Sequence, residues 1–533
     1  MKSFFRYFLV VVLIFLLQCA KRGRPSGGPK DENKPLFVVA NPPYESLYFT
    51  AKKIKITFNE YIKLKNVNKQ LVVSPPLKYP PSISPLGSAS RHIIIRILDT
   101  LQANTTYTFD FGNSVEDNNE GNKLERFKYV FSTGSFIDSL TAKGRVKDAY
   151  ENAFDKDIRL LLYKIDSSFT DSVVYKQKPK YVTSTLDTTL YHFTNLQKGK
   201  YLLIALKDHA GDYLFDPKQD KIGFFTDTIV LPKDSVINTP IALFKETLPY
   251  KFKRGKEASR GKILFGYEGK VKNMNIRLLS KVSDSFRSVS RFEMGKDSLN
   301  YWYTPVDVDS LNFVVSNANI SDTVTVRLRK KKIDSLMFDS PIRSILELKD
   351  TFNITTNNPI VKLDTSKISL TDKDTIGIPY RSFISKKENK FGFIFQKEYK
   401  QKYALSILPG AVQDIYHQEN DTLTYTFTTK DIEDYGAVNL QVNNPKSQDL
   451  IIELTLRSGK LVYRKFTNNS SVVAFPLLIP AEYQIRIIID VNNNGQWDTG
   501  NYLKKIQPEK IIYYDEILKV RPYHTYNQNI MIK

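Results

Sequence analysis

The sequence predicts an all-β protein built from tandem β-sandwich domains, and three observations support this prediction. Tyr (31) and Phe (33) are abundant, and aromatic and β-branched residues suit a half-buried pleated surface. Short stretches alternate apolar and polar residues, as in KIKITF with Ile54, Ile56 and Phe58. Turn clusters such as SPP, NNEGN and NNNG separate these stretches at regular intervals, while no long 3.6-residue apolar period occurs after residue 19.

The length and composition set the number of domains and the kind of core. A chain of 533 residues corresponds to roughly three to five domains at about 100–200 residues each. Hydrophobic residues make up 41% of the chain, which is enough for sizeable cores and excludes a wholly disordered protein.

The N-terminus has the pattern of an export signal. Lys2 and Arg6 form a positive segment, and an uninterrupted apolar run follows from Tyr7 to Leu17. This run has the length of a signal-peptide core and is shorter than a membrane span, which needs roughly 17–25 residues. We therefore predict a signal peptide over residues 1–18.

Cys19 follows the apolar run directly, and it is the one cysteine of the chain. The stretch Leu16-Leu17-Gln18-Cys19 resembles the bacterial lipobox, although Gln18 stands where that pattern has a small residue. The resemblance implies that Cys19 carries lipid and becomes the mature N-terminus. With Cys19 lipidated, no thiol remains for a disulfide.

A flexible tether is predicted over residues 19–34, because Gly, Pro, Ser and charged residues dominate there without an apolar period. The residues after the cysteine are basic, namely Lys21, Arg22 and Arg24. The absence of an acidic run favours the periplasmic face of the outer membrane. The expected location is thus the cell envelope, with attachment to the membrane through the lipid.

Two pairs of segments repeat along the chain. The first pair shares a Phe-Asn step, a later Tyr and a closing Phe, with 24 positions from Tyr to Phe in both copies: Phe58, Tyr107, Phe131 and Phe352, Tyr403, Phe427. The second pair places Asp 7 positions after Tyr and a further Asp 8 positions later: Tyr201, Asp208, Asp216 and Tyr483, Asp490, Asp498. We infer the order A-B-C-A′-B′, in which C matches neither repeat.

The A segment resembles the bacterial Ig-like domain of S-layer-type proteins through N41-P-P, F58-N-E-Y-I, L101-Q-A-N-T-T-Y-T-F and F131-S-T. A′ keeps the Tyr and F-T-T elements without the opening. The B segments, with F-x-x-L-x-x-G-x-Y before a strand and an Asp, look like prealbumin-like modules related to carboxypeptidase regulatory domains. The chain as a whole resembles envelope lipoproteins headed by such an Ig-like domain, a family that implies β-sandwiches and no established activity.

The predicted domains follow from these repeats: an Ig-like domain (35–136), a prealbumin-like sandwich (137–246), a β-rich domain (247–345), a degenerate second Ig-like domain (346–432) and a second prealbumin-like sandwich (433–533).

The loop D490-V-N-N-N-G-Q-W-D498 is the strongest predicted site. Asp490, Asn492, Asn494 and Asp498 offer oxygen ligands of the kind that Ca²⁺ prefers, and Gly495 permits a sharp turn. An EF-hand is excluded because the flanks are strands and Asn501 stands at the twelfth position. A calcium loop in a β-hairpin and an Asx-rich turn held by its own side chains both remain open.

Three further segments have a functional and a structural interpretation. The first copy of the loop retains Asp208, Asp212 and Asp216, and it fits either a calcium loop or an Asx-rich turn. The acidic loop 116–122 fits a cation site or a solvated hairpin turn. The basic run 327–332 fits an anionic glycan or lipid contact, or a solvated strand end.

Nothing in the sequence points to an enzyme. The histidines are not at metal-ligand spacing, and no nucleophile elbow, phosphate loop or dinucleotide fingerprint occurs: His92, His192, His209, His417, His524. The net charge of +22 suits solubility or anionic partners. For an exported protein these partners are envelope polymers or lipid head groups, and we expect no nucleic acid.

We therefore expect a lipid-anchored rod of five β-sandwiches with a structural, adhesion or scaffolding role, holding an envelope protein or an anionic glycan. A carbohydrate-binding or carbohydrate-processing accessory is the alternative. A hydrolase whose site is assembled across domains would need a cleft with paired carboxylates.

Overall fold

The computed structural model describes residues 31–329 and 331–532. The predicted signal peptide, Cys19 and the tether as far as residue 30 lie outside the described residues. Strands dominate the described part and form paired antiparallel sheets, so the predicted all-β sandwich fold is confirmed. No helix in 31–329 or 331–532 has the length and apolar character needed to cross a membrane.

The first sandwich packs the sheet β1-β2-β5-β4, with β7 paired to β2, against the sheet β3-β6-β8. Its core alternates along the strands, with Ile54 and Ile56 facing Phe109 and Phe131, all at most 2% exposed. The elements are β1 (Phe37–Asn41), β2 (Lys53–Leu64), α1 (Val67–Gln70), β3 (Val72–Ser74), β4 (Ser82–Ser84), β5 (Ser90–Arg96), β6 (Thr106–Asp110), β7 (Val115–Asp117) and β8 (Lys128–Ser132).

The second sandwich packs the sheet β11-β10-β13-β14, with β15 paired to β13, against the sheet β12-β9-β16, in which β9 and β16 run parallel. Its elements are β9 (Leu140–Asp148), β10 (Arg159–Lys164), α2 (Val173–Lys176), β11 (Tyr181–Ser184), β12 (Leu190–Leu196), β13 (Gly199–Lys207), β14 (Lys221–Phe224), β15 (Ile229–Leu231) and β16 (Ile241–Leu243).

The third sandwich pairs the sheet β17-β18-β21-β20 with the sheet β19-β22-β23. Its strands are β17 (Lys251–Ser259), β18 (Lys262–Glu268), β19 (Asn275–Leu278), β20 (Ser288–Phe292), β21 (Ser298–Tyr303), β22 (Ser310–Asn317) and β23 (Ile320–Arg327).

The fourth sandwich has the strand order of the first: β24-β25-β29-β28, β26 with β31, and β27-β30-β32. Its elements are β24 (Phe338–Asp339), β25 (Phe352–Thr356), β26 (Ile360–Leu363), a 3₁₀ helix (Thr365–Lys367), β27 (Ile368–Asp372), β28 (Arg381–Ile384), β29 (Lys390–Ile394), β30 (Lys402–Ile407), β31 (Val412–Asp414), β32 (Leu423–Thr428) and a closing 3₁₀ helix (Ile432–Asp434).

The fifth sandwich repeats the strand order of the second, including its parallel pair, as β35-β34-β37-β38 with β39, and β36-β33-β40. Its strands are β33 (Gly436–Asn443), β34 (Leu450–Leu456), β35 (Leu461–Thr467), β36 (Ser471–Leu478), β37 (Ala481–Ile489), β38 (Ile511–Tyr513), β39 (Leu518–Val520) and β40 (Thr525–Met531).

The two copies of the A segment align differently from the sequence pattern. In the first copy, Ile54 pairs with Ile95 and, eight positions later, Ile62 pairs with Asp117. In the second copy, Phe352 pairs with Phe393 and, eight positions later, Ile360 pairs with Asp414. The match of Phe58 with Phe352 was therefore wrong by four positions. The opening that the sequence pattern lacks in A′ is present as β24, which lies before the predicted boundary at 346 and pairs with β25.

The sandwiches do not form an extended rod, contrary to the expectation from the sequence. The hydroxyl of Tyr416 donates to the carbonyl of Gly261 (2.7 Å) and links the fourth sandwich to the third. Glu347 accepts from the hydroxyl of Tyr435 (2.5 Å) between the fourth sandwich and the start of the fifth. Arg486 of the fifth sandwich donates to the hydroxyl of Tyr150 in the second (3.0 Å), and Lys218 of the second pairs with Glu268 of the third (3.6 Å), so the contacts among the last four sandwiches form a closed ring. Local patterning predicts each sandwich, but it says nothing about contacts between sandwiches.

Candidate functional site

The predicted calcium loop joins β37 to β38 and is anchored by Asp490, which is 3% exposed. The two carboxylate oxygens of Asp490 accept from the backbone N–H groups of Asn494 (3.1 Å) and Gly495 (2.8 Å). Gly495 has φ +74°, a left-handed conformation that glycine adopts without strain. The loop therefore closes on its first acidic side chain.

The other predicted ligands are also engaged within the loop. The side-chain amides of Asn492 and Asn494 donate to one oxygen of Asp498 (2.6 and 2.5 Å), while the amide oxygens of both residues accept from the backbone N–H groups two positions ahead. The hydrogen bond from Asn492 is the main cause that lowers the pKa of Asp498. This geometry is that of an Asx-rich turn. Calcium binding stays a prediction, and it requires both side-chain amides to rotate so that their oxygens face an ion held by Asp498.

Glu509 completes the loop from outside the predicted motif. Its carboxylate accepts from the backbone N–H groups of Val491 (2.8 Å) and Asp498 (2.9 Å), and its carbonyl accepts from the indole of Trp497 (3.0 Å). Burial raises the pKa of Glu509. Across residues 31–329 and 331–532, no three His, Cys, Asp or Glu side chains are grouped so as to hold a metal ion.

The first copy of this loop has the same frame. Asp208 accepts from the backbone N–H groups of Gly211 (2.6 Å) and Tyr213 (2.8 Å). Asp220 takes the place of Glu509, since it accepts from the backbone N–H groups of His209 (3.0 Å) and Asp216 (2.9 Å). Asp212, the remaining predicted ligand, accepts from the N–H of Leu214 (2.9 Å). The repeat thus preserves a way of holding a loop.

The two copies differ in the segment before this second acidic residue, which has three residues in the first copy (217–219) and ten in the second (499–508). The longer segment docks on the second sandwich. Tyr502 is fully buried among aromatic rings of that sandwich, with its ring 5.6 Å from that of Phe224. Hydrogen bonds flank it on both sides: Thr499 Oγ1 to Lys245 O (2.7 Å), Tyr502 N to Glu246 Oε1 (2.6 Å) and Gln507 Nε2 to Phe224 O (3.0 Å). The insertion therefore acts as a docking arm.

A buried ion-pair cluster lies at the same interface. Glu453, which is 0% exposed, accepts from Arg486 Nε (2.7 Å) and from Arg464 Nε (2.8 Å). The Arg486 guanidinium lies over the ring of Tyr150 in the second sandwich (4.4 Å) and donates to its hydroxyl (3.0 Å). The ring of Tyr150 also contacts that of Trp497, with centroids 4.8 Å apart. The Asp490 loop is thus part of an interdomain contact.

The docking residues were not predicted, although a signal for them exists in the sequence. The strands β10 (RLLLYK) and β34 (LIIELTL) are apolar at consecutive positions, which is typical of strands buried on both faces. The segment YQIRIIID begins with alternating apolar and polar residues, the pattern of a strand with one buried face, yet Ile488 and Arg486 on its second face are 1% and 3% exposed. These faces are covered by the neighbouring sandwich.

The other predicted segments have structural roles in the described part. One oxygen of Asp117 accepts from three backbone N–H groups of the acidic loop and the other from a fourth, those of Asn119, Glu120, Gly121 and Asn122. In the basic run, Lys331 donates to the carbonyls of Glu257 (3.1 Å) and Ala258 (2.8 Å). Both segments therefore stabilise turns or connections.

A cavity of about 920 Å³ lies between the first and second sandwiches. Arg126, Lys143 and Arg145 line it together with the acidic residues Glu125 and Asp187. Arg126 also donates to the carbonyl of Ser184 (3.1 Å) across the junction. The cavity offers both charges to a polar ligand.

Comparison with known proteins identifies the first sandwich. The family model described as the bacterial Ig-like domain matches residues 31–133, which include β1 to β8 and confirm the predicted Ig-like domain there. No curated protein matches the chain.

Solved structures with some likeness include three proteins. Surface layer protein SbsC (domains 1–6) is 11% identical over 91% of this chain and 67% of its own, with a TM-score of 0.15. The major pilin subunit of Bacillus cereus is 10% identical over 74% and 99%, with a TM-score of 0.14. Tandem domains from titin are 12% identical over 46% and 93%, also at 0.14. At these TM-scores the likeness supports no argument.

Proposed function

We propose that the protein is a lipid-anchored structural component of a bacterial cell envelope, with a scaffolding or adhesion role and no catalytic activity. The observation that supports this most is the docking of the fifth sandwich on the second. There, buried charges and aromatic rings join sandwiches that are distant in sequence. Such a closed body resists deformation better than a chain of independent domains, since many contacts must break together.

The acidic side chains of the Asp490 loop and of the acidic loop 116–122 fit this proposal. Asp490, Asp117 and Glu509 accept hydrogen bonds from backbone N–H groups and so hold turns. A general acid or base needs a carboxyl group that faces a reacting proton instead.

The proposed anchor is Cys19, placed after an apolar leader. Each buried methylene contributes about 0.8 kcal/mol, and one acyl chain alone binds a membrane only marginally. Two or three chains would hold the protein durably. The periplasmic face of the outer membrane is the proposed location, in keeping with the basic residues Lys21, Arg22 and Arg24.

Mass spectrometry of the N-terminus, on protein extracted from membranes, tests the anchor. We expect a mature chain that starts at an acylated Cys19, and a Cys19→Ala chain that is neither cleaved nor acylated. Recovery of the wild-type chain in the soluble fraction with an unmodified cysteine would contradict the proposal.

Carbohydrate binding is the second candidate function, and the cavity between the first two sandwiches favours it. Its cations, Lys143 and Arg145, suit an anionic glycan. Pulldown with immobilised anionic and neutral glycans separates the two proposals, because neither glycan retains a purely structural protein. Lys143→Gln with Arg145→Gln should abolish retention if the cavity is the site.

A further inference from the structure

The outer face of the sheet β1-β2-β5-β4 in the first sandwich has an unusual charge. Strand pairing sets Lys53 opposite Arg96 and Lys55 opposite Ile94, and places His92 beside Thr57, whose hydroxyl lies 3.1 Å from the imidazole. The side chains of Lys53, Lys55 and Arg96 are exposed. We call these three residues the basic row.

In the pairings that flank the basic row, namely β1 with β2, residues 53–57 of β2 with β5, and β4 with β5, no acidic side chain lies on this face. An acidic side chain of the same sheet, Glu116, lies opposite Lys63, where β7 pairs with the far end of β2. The other face positions in the flanking pairings are uncharged apart from the imidazole: Val39, Asn41, Thr57, Ser82, Ser84, His92 and Ile94. Burial is the main cause that lowers the pKa of His92, and the charges of Lys55 and Arg91 lower it further, in agreement with a positive potential on this face.

The fold does not require this charge. In the fourth sandwich, which has the same sheet, the positions of Lys53, Lys55 and Arg96 are taken by Thr351, Asn353 and Ile394. Like charges directly opposite each other on neighbouring strands are destabilising. A cost to stability that the sister sandwich avoids indicates a use outside the fold.

The position of the sheet in the chain indicates that use. Its edge strand β1 begins at Phe37, directly after the predicted tether. The amide of Asn122 donates to the carbonyls of Asp31 (2.8 Å) and Asn33 (3.0 Å), which ties the start of the described chain to this sandwich. A flexible chain of the length from Cys19 to Asp31 would span about 17–21 Å on average, which would keep the sheet close to whatever surface holds Cys19. The tether residues Lys21, Arg22 and Arg24 add charge of the same sign.

We propose that the basic row binds the anionic head groups of the membrane to which the chain is anchored and sets the first sandwich face-on to the bilayer. This inference rests on the proposed lipid anchor, because the anchor brings the sheet to a membrane. Each Lys or Arg near an anionic surface strengthens binding roughly five-fold, so the row supplies a factor of roughly one hundred at low salt.

Vesicle sedimentation of the chain from residue 19, with Cys19→Ala so that no acyl chain contributes, tests the proposal. We expect binding to vesicles of phosphatidylcholine with phosphatidylglycerol, little binding to phosphatidylcholine alone, and loss of binding as salt rises. The triple variant Lys53→Gln, Lys55→Gln, Arg96→Gln should bind roughly a hundred-fold more weakly.

The matched control is Lys373→Gln, Lys386→Gln, Lys460→Gln, which removes the same charge from exposed positions on the fourth and fifth sandwiches. Thermal melts of both triple variants establish that the fold is retained. Equal binding by the two triple variants would overturn the proposal, as would wild-type binding to soluble heparin that vesicles fail to compete.

The outcomes for the anchor and for the basic row are separable. An acylated Cys19 with no vesicle binding by the unacylated chain overturns the basic row and leaves the anchor. An unmodified Cys19 with intact vesicle binding supports the row and overturns the anchor.

Discussion

Truncation of Tyr502 should release the docking arm from the second sandwich. The side chain is 0% exposed, and its ring packs with Phe224, Phe244 and Tyr175. Buried Tyr side chains remove about 150–250 Å² from water, and about 25 cal/mol per Å² makes this burial worth roughly 4–6 kcal/mol. Since truncation of a buried aromatic residue costs about 3–5 kcal/mol, we expect Tyr502→Ala to weaken the docking by that amount.

Tyr502→Phe is the matched control. The hydroxyl of Tyr502 is buried and has no hydrogen-bond partner among the described residues, so its removal leaves no partner unsatisfied. We expect Tyr502→Phe to leave the docking free energy unchanged or slightly improved. The pair of variants thus separates the packing of the ring from any polar role of the hydroxyl.

Denaturant unfolding together with small-angle scattering measures the effect. The core of the fifth sandwich does not include Tyr502, so Tyr502→Ala should increase the radius of gyration at denaturant concentrations where both sandwiches remain folded. A Tyr502→Ala chain with wild-type dimensions and a loss below about 1 kcal/mol would refute the docking argument.

Three further predictions concern buried charges and the loop. Glu453→Gln should lower the free energy of unfolding by about 3–5 kcal/mol in denaturant titrations, because Arg486 keeps its buried charge without a charged partner. The control Glu482→Gln, which removes a carboxylate from exposed ion pairs, should lower it by under about 1 kcal/mol. Equal losses for the two variants would contradict this. Burial raises the pKa of Asp117, but its backbone N–H donors lower it by more. The difference in the free energy of unfolding between wild type and Asp117→Asn should therefore be largest at neutral pH and shrink as the pH falls below about 4. A difference that does not change with pH would exclude this. If the Asp490 loop binds calcium, Ca²⁺ at about 100 times its Kd should stabilise wild type by about 2.7 kcal/mol and leave Asp498→Asn unchanged, while identical thermal melts with Ca²⁺ and with chelator would count against a site.

Part of the candidate site was predictable because its geometry is local. The carboxylate of Asp490 accepts from the backbone N–H of Gly495 within one turn, and Asx side chains with glycine produce such turns in any context. Glu509 could not be predicted, because ten residues separate it from Asp498 and its role depends on the docked insertion. In the first copy, Asp220 has this role only four positions after Asp216.

The repeats show the same division in the fold. Their Tyr and Phe spacings indicated two duplicated domains, and the structure has duplicated strand orders. The equivalence of Phe58 and Phe352 was wrong because a strand repeats its side-chain direction every second residue, so similar letters fit several registers. Strand pairing with Ile95 and Phe393 resolves this ambiguity.

The sequence by itself determined the class of fold and the turns, because alternation, glycine and Asx side chains act over a few neighbouring residues. The tertiary structure alone decided which sandwich faces which. Tyr150 and Arg486 are 336 positions apart, and no local pattern encodes their hydrogen bond. Whether a strand shows one apolar face or two depends on what covers it, and only the packed chain defines that partner.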